Sequence, residues 1–375
     1  MKKLVLLATV CLLTTAAFAE EDKSPPAPAL GQKAEGMIEQ LMPICSDAVT
    51  TKRAGLVHAL PANMTGNVIE VDSKRNPCTG QWVAVVSKEG GFWLGIPWFL
   101  DGADKTLSLE ERLKKFTWEN MQQNYDVKVD RTKTRDGLYR MTLTQTTEQG
   151  KLPMEGEIDP AGTVLFLGHF MPLNGDARGN RTKDLGSLLE KSPATGSAMP
   201  QVTVIEFSDF QCPSCKHAAE FLKPVLAAHG DKVRYIRFDM PLITIHPWAF
   251  SAAVAGRAIF RQKPEVFWAF KEHIYENQDK LNAFTIDDFV RGFAQDHDLD
   301  LKKFDADVAS PELRAEILRG LGTAFINDVR ATPTYLVNGV NVDPGIDGKA
   351  LANYIDKVLK QPATPDRGTP SKSGR

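Results

Sequence analysis

The sequence predicts two globular segments: an α+β domain with an antiparallel sheet over residues 33–185, then an α/β domain over 201–360 whose strands are split by a block of helices. Three observations carry this prediction. At 375 residues the chain is long enough for two hydrophobic cores. A stretch poor in large apolar residues, Lys-Ser-Pro-Ala-Thr-Gly-Ser-Ala-Met-Pro at 191–200, separates them, so 186–200 reads as a linker. Hairpin signals dominate the first segment, whereas strand and helix patterns alternate in the second.

The N-terminus reads as a signal peptide over 1–19. Lys2 and Lys3 precede an apolar run at 4–13, and Ala17-Phe18-Ala19 offers a cleavage site. That run is too short for a permanent bilayer span. The mature protein is therefore expected to be soluble and periplasmic or secreted. Residues 20–32 are polar and Pro-rich, a disordered leader, and 361–375 reads as a disordered tail. A formal net charge of −2 gives no reason to expect nucleic acid or an anionic membrane as partner.

Loss of Cys11 with the signal peptide leaves Cys45, Cys78, Cys212 and Cys215. In an oxidising compartment an even number suggests pairing. The close pair is Cys212 with Cys215, so Cys45 and Cys78 are the natural remainder for a structural disulfide. Such a bridge would contribute about 3–4 kcal/mol on the chain-entropy model. The alternative is two free buried thiols.

In the first segment, Ser108 and Glu111 form a capping box for a helix to about Asn124. Alternating strands follow at 125–132 and 138–144, joined by Asp136-Gly137. A second hairpin joins 154–158 to 163–170 through Asp159-Pro160-Ala161-Gly162. A helix with an antiparallel meander is the expected core. No catalytic constellation appears there. His58 and His169 read as surface or packing residues, and Trp82, Phe92, Trp93, Trp98 and Phe99 as core, though an apolar dimer surface would use some of them.

In the second segment, 202–208 is a buried strand and 213–229 a helix, with a strand at 233–238. Helical patterns fill 248–261, 264–277 and 285–297, and Ser310-Pro311 opens another helix. Strands at 334–337 and 340–342 flank Asn338-Gly339. A last helix presents Leu351, Tyr354, Ile355, Val358 and Leu359 on one face. The order β-α-β, helices, β-hairpin, α is that of a thioredoxin-type core with an inserted helical subdomain.

The chemistry concentrates where strand 202–208 meets Cys212-Pro213-Ser214-Cys215. At a helix start, Cys212 meets unpaired N–H groups and the positive dipole end, which favour its thiolate. Cys215, one turn in, is expected to be more buried and to resolve mixed disulfides. Pro213 suits the first helical position, Ser214 offers a hydroxyl, and Lys216 adds positive field. Glu206 lies on the strand beneath and is a candidate to exchange a proton with Cys215. Zinc would need two more suitably spaced ligands, so no metal or other cofactor is expected beyond the dithiol itself.

Three stretches carry a family resemblance: 206–215 (Glu-Phe-Ser-Asp-Phe-Gln-Cys-Pro-Ser-Cys), Asp239-Met240-Pro241-Leu242 with His246-Pro247, and 331–339 (Ala-Thr-Pro-Thr-Tyr-Leu-Val-Asn-Gly). Together they resemble the DsbA family of the thioredoxin superfamily. The resemblance implies a redox-active Cys212–Cys215 pair, a cis-Pro333 facing it, and Thr332 pairing with substrate backbone. Residues 157–176 are similar to the closing hairpin of the dimerisation domain in DsbC and DsbG disulfide isomerases. The implied function is a thiol–disulfide oxidoreductase acting on cysteines of unfolded or misfolded exported proteins, with a membrane redox partner that reoxidises or reduces it. The alternatives are an isomerase kept reduced and made homodimeric by the first domain, and a chaperone-like binding module with secondary redox activity.

Overall fold

The structure, a computed structural model, describes residues 29–74, 78–133 and 136–361. The expected signal peptide, most of the leader and the tail from 362 lie outside the described residues. The leader is shorter than read from composition. Leu30 is buried, and helix α1 begins at Gln32 (Gln32–Leu41). The apolar positions 34, 37, 38 and 41 fall on one face of that helix, which outweighs the polar residues before it.

Two antiparallel sheets form the first domain. One has the order β1-β2-β3-β4-β10, from β1 (Val49–Ala54), β2 (Met64–Ser73), β3 (Gly80–Ser87), β4 (Gly91–Gly95) and β10 (Met171–Pro172). The other runs β5-β9-β8-β7-β6, from β5 (Trp98–Phe99), β6 (Tyr125–Lys133), β7 (Tyr139–Thr147), β8 (Gly150–Ile158) and β9 (Val164–Leu167). Val68, Val83, Val85 and Trp93 of the first sheet pack with Val164 and Phe166 of the second. Helix α1 covers the first sheet's other face through Ile69, Ala84 and Phe92. The expected helix is α2 (Leu109–Met121), with the Ser108–Glu111 capping box in place. It ends three residues early because Gln122 turns left-handed, at φ 54°. The Asp159 turn forms through its side chain, which accepts from the N–H groups of Ala161, Thr163 and Val164 at 3.1, 2.6 and 2.7 Å.

The second domain is built on a mixed sheet of order β11-β13-β12-β14-β15. Its strands are β11 (Ala194–Gly196), β12 (Val202–Ser208), β13 (Val233–Asp239), β14 (Thr334–Val337) and β15 (Val340–Val342). β12 and β13 are parallel, joined by α4 (Pro213–His229), while β14 and β15 run antiparallel to their neighbours. The helical insert comprises α5 (Ala249–Gln262), α6 (Val266–Asn277), α7 (Ile286–Asp296) and α8 (Leu301–Ala309). Helix α9 (Pro311–Ile326), capped by the Ser310 hydroxyl, leads back to the sheet, and α10 (Lys349–Leu359) ends the fold. Helix α8 was not separated from its neighbours in the sequence pattern. Its one buried residue, Phe304, leaves little periodicity to read.

The region read as a linker, 186–200, is part of the fold. Helix α3 (Ala177–Glu190) crosses its start, with a kink at Gly186, and β11 pairs with β13. Arg237 N–H donates to Pro193 O at 2.8 Å. An edge strand needs only backbone pairing on one side, so Pro and Ser nearby do not prevent it.

Nor are the two domains beads on a string. One hydrophobic cluster joins Leu113 of α2 and Leu143, Met154 and Ile158 of the second sheet to Leu318 and Leu321 of α9. The same cluster continues to Phe207, Phe238 and Leu336 under the third sheet. A second junction lies at the far edge. Ile44 bridges to Val342 of β15, exchanging backbone bonds with Asn341 and Asp343 at 2.8 Å each. The Cys45–Cys78 disulfide pins that segment to the entry of β3. Among the described residues no helix is long and apolar enough to cross a membrane.

Candidate active site

Strand β12 is buried nearly throughout because Val202, Val204, Ile205 and Phe207 fill both of its faces. It delivers residues 209–211 to the sheet end, where the backbone turns into α4 with Cys212 as N-cap and Pro213 next. The N–H groups of Cys215 and Lys216 donate to Cys212 O at 3.1 and 3.2 Å, closing the first turn over the cysteine pair. Both thiols are free; Cys212 is 6% exposed and Cys215 fully buried.

Their environments drive them apart. The Cys212 thiol is lowered to about 6, first by the hydrogen bond from Cys215 and further by the Cys215 N–H, against burial and the Asp209 charge. Burial pushes the Cys215 thiol well above its ordinary value, and the neighbouring Cys212 and Glu206 push it further. Cys215 Sγ accepts from Asp209 N–H at 3.5 Å.

The peptide bond between Thr332 and Pro333 is cis, and it brings Thr332 O within 3.3 Å of Cys212 Sγ. The buried Thr332 Oγ1 has no hydrogen-bond partner among the described residues. So the structure brings Cys212, Cys215, Thr332 and Pro333 together from chain positions 120 residues apart.

Glu206 is fully buried, and alternation along β12 puts it on the face covered by α4, the side of Val202 and Val204. Tyr235 O–H donates to one carboxylate oxygen, and the other has no partner among the described residues. Lys271 of α6, itself buried and lowered by desolvation, donates to Tyr235 O at 3.3 Å. Arg237 is wholly buried beneath the turn, bound to Asp239, with its guanidinium 3.7 Å from the Phe210 ring centre. Pro213 and Ser214 are exposed at the helix start. Lys216 differs from the expectation. Its ammonium lies 3.2 Å from Asp279, so its charge is directed to that carboxylate rather than to Cys212.

Several neighbours of the cysteines escaped the sequence reading. Gln278 Nε2 donates to Phe210 O and Cys212 O at 2.9 and 3.2 Å, clamping the turn from the helical insert. Asp209 accepts from Gln211 N–H at 2.7 Å, Leu242 N–H at 2.8 Å and His246 Nδ1 at 2.7 Å. Asp209 and His246 stand in the stretches that carried the family resemblance, the one signal that pointed to them. Gln278 and Lys271 gave none. In the first domain, His58 stacks on Phe99 and bonds Asp101, and His169 pairs with Glu157, far in sequence from the cysteines. Trp93 and Trp98 are buried core residues. Among the described residues no group of three or more His, Cys, Asp or Glu side chains could hold a metal ion.

Comparison with known proteins falls on the same half of the chain. The family model described as thioredoxin matches residues 189–357. A Na(+)/H(+) antiporter NhaA from Herminiimonas arsenicoxydans is 28% identical over 184 residues, 48% of this chain and 28% of the antiporter. A probable disulfide bond formation protein D from Bacillus cereus is 28% identical over 191 residues, 48% of this chain and 87% of that protein. The crystal structure of oxidised BdbD from Bacillus subtilis aligns with a TM-score of 0.42 and 21% identity, covering 46% of this chain and 95% of that one. The chain spans about a quarter of the length of the antiporters it matches. Residues 189–357 are a thioredoxin-like domain, as their element order and motifs predicted, and the family match leaves the two N-terminal sheets outside it.

Proposed function

We propose that the chain is an exported thiol–disulfide oxidoreductase that transfers the Cys212–Cys215 disulfide to cysteines of folding exported proteins. A substrate thiolate attacks Cys212 Sγ of the oxidised pair, and the electrons of the broken bond leave with Cys215. Glu206, buried on the face of β12 that α4 covers, relays the proton that Cys215 takes up. A second substrate thiolate then attacks the substrate sulfur of the mixed disulfide, and Cys212 departs as thiolate. Thr332, beside the cis-proline, holds the substrate backbone next to Cys212. Supply of fresh disulfide falls to a membrane redox partner.

The division between the two thiols at the start of α4 carries the direction of this reading: the Cys212 thiol is lowered to about 6, while burial pushes the Cys215 thiol well above its ordinary value. A thiol of low pKa is the better leaving group, and stabilising the reduced pair makes its disulfide the stronger oxidant. The likeness to a probable disulfide bond formation protein D from Bacillus cereus supports the same reading. Against the dimeric isomerase, the second sheet spends its outer face on α9 of its own chain.

The test uses the full mature chain, oxidised, with an unstructured peptide bearing two reduced cysteines. The expected result is close to one peptide disulfide formed per Cys212–Cys215 pair reduced, with Cys45–Cys78 unchanged. A peptide that stays reduced at equilibrium would place the protein on the reducing side and remove the oxidase reading.

A further inference from the structure

The loop between β13 and α5 returns to the cysteine turn at three points. Met240 N–H donates to Ser208 O at 2.9 Å, Leu242 N–H to Asp209 at 2.8 Å, and Trp248 N–H to Gln211 Oε1 at 2.8 Å. Between them sits His246, half-buried, with Nδ1 on Asp209 Oδ2 at 2.7 Å. Asp209 is itself buried, three residues before Cys212, whose N–H donates to Asp209 O at 3.3 Å. A buried carboxylate so close to a thiolate is a like charge that opposes it. Of the three donors to this carboxylate, two are backbone N–H groups, and only His246 can bring a positive charge.

We propose that His246 is a positioning residue for exchange at Cys212: its imidazolium, bound to Asp209, offsets the carboxylate and keeps the Cys212 thiolate available as attacking and leaving group. This rests on the dithiol reading above. The other charged or titratable groups around the site are Cys212 and Cys215 on α4, Glu206 on β12, Tyr235 and Arg237 with Asp239 on β13, the last two bound to each other, Lys271 and Tyr275 on α6, and Tyr335 on β14. The Asp209 hydrogen bond raises the His246 pKa, and the Cys212 charge adds to it. As pH rises and His246 loses its proton, Asp209 stands unopposed and the thiolate becomes a poorer leaving group.

The test is alkylation of the reduced full chain by iodoacetamide across pH, read at Cys212, the more exposed of the two thiols. His246→Asn keeps a donor near the Nδ1 position but no charge. Its rate at pH 6 is expected to fall about three- to tenfold, the size of one partly screened charge nearby. Asp209→Asn added to His246→Asn should bring the rate back toward wild type, because the charge that needed offsetting is gone. Loosening of the loop would not be reversed in this way, which separates charge from structure. A His246→Asn profile that overlays the wild type, or a double variant no faster than the single one, overturns the proposal. A wild-type profile like that of an ordinary thiol would instead remove the dithiol reading, and this inference with it.

Discussion

Replacing Cys215 by Ser is expected to leave mixed disulfides between Cys212 and substrate standing, where the native chain shows none. The expected stabilisation is large because Cys215 reaches the mixed disulfide intramolecularly. Such positioning is worth effective concentrations of about 10⁵ M or more, so escape by an external thiol at millimolar concentration is slower by several orders of magnitude. Burial matters here too: Cys215 Sγ sits fully buried with a single N–H donor from Asp209, so no solvent nucleophile takes its place. Non-reducing electrophoresis of Cys215→Ser after mixing with a single-cysteine peptide activated as its thionitrobenzoate mixed disulfide should show a one-to-one adduct that dithiothreitol removes. Cys212→Ser should form none. Equal trapping by both variants would mean that Cys212 is not the sulfur that meets substrate.

Substitution of Gly322 by Ala has the second-largest expected effect, and its sign is informative. In a free helix the change would stabilise by up to about 1 kcal/mol. Here a Cβ at 322 would lie 1.9 Å from Pro153 O of β8, and backbone cannot yield as a side chain can. Helix α9 would have to lift from the second sheet, opening the cluster that includes Leu318, Leu321 and Met154. We expect a net loss of about 1–3 kcal/mol, read by urea unfolding of the oxidised chain monitored over both domains together. Stabilisation would show that α9 does not rest on β8.

Much of the second domain was legible because its signals are local. Pro213 at the first position of α4, Ser310-Pro311 before α9 and Asn338-Gly339 between β14 and β15 each act within a few residues. Asn338 and Gly339 take φ values of 47° and 79°, the left-handed pair that a tight hairpin requires. The family stretches added Thr332, Pro333 and Glu206, which no local pattern joins to Cys212. The first sheet was not legible for a physical reason. β2 lies between α1 and the second sheet, with Val68 and Ile69 facing opposite sides and both buried, so period-two alternation is lost. The shared core was hidden for another reason: its members come from positions as far apart as Leu113 and Leu336, and a polar stretch between the two segments suggested separation. Lys271 reads as one charge on an apolar helix; only the fold brings its ammonium to Tyr235 and so toward Glu206.

Everything in the proposed chemistry turns on the ionisation of Cys212. An unfolded thiol ionises near 9, and Cys212 in the fold at about 6. The reduced fold therefore gains stability that is full above the unfolded value and is lost as pH falls through about 6. The direct measurement is the ultraviolet thiolate absorbance of the reduced chain titrated from acid to alkali, with the oxidised chain as blank and Cys212→Ser as control. Half-ionisation of one thiol near pH 6, absent in Cys212→Ser, is the predicted result. A first midpoint near 9, or the same curve in the variant, would contradict it.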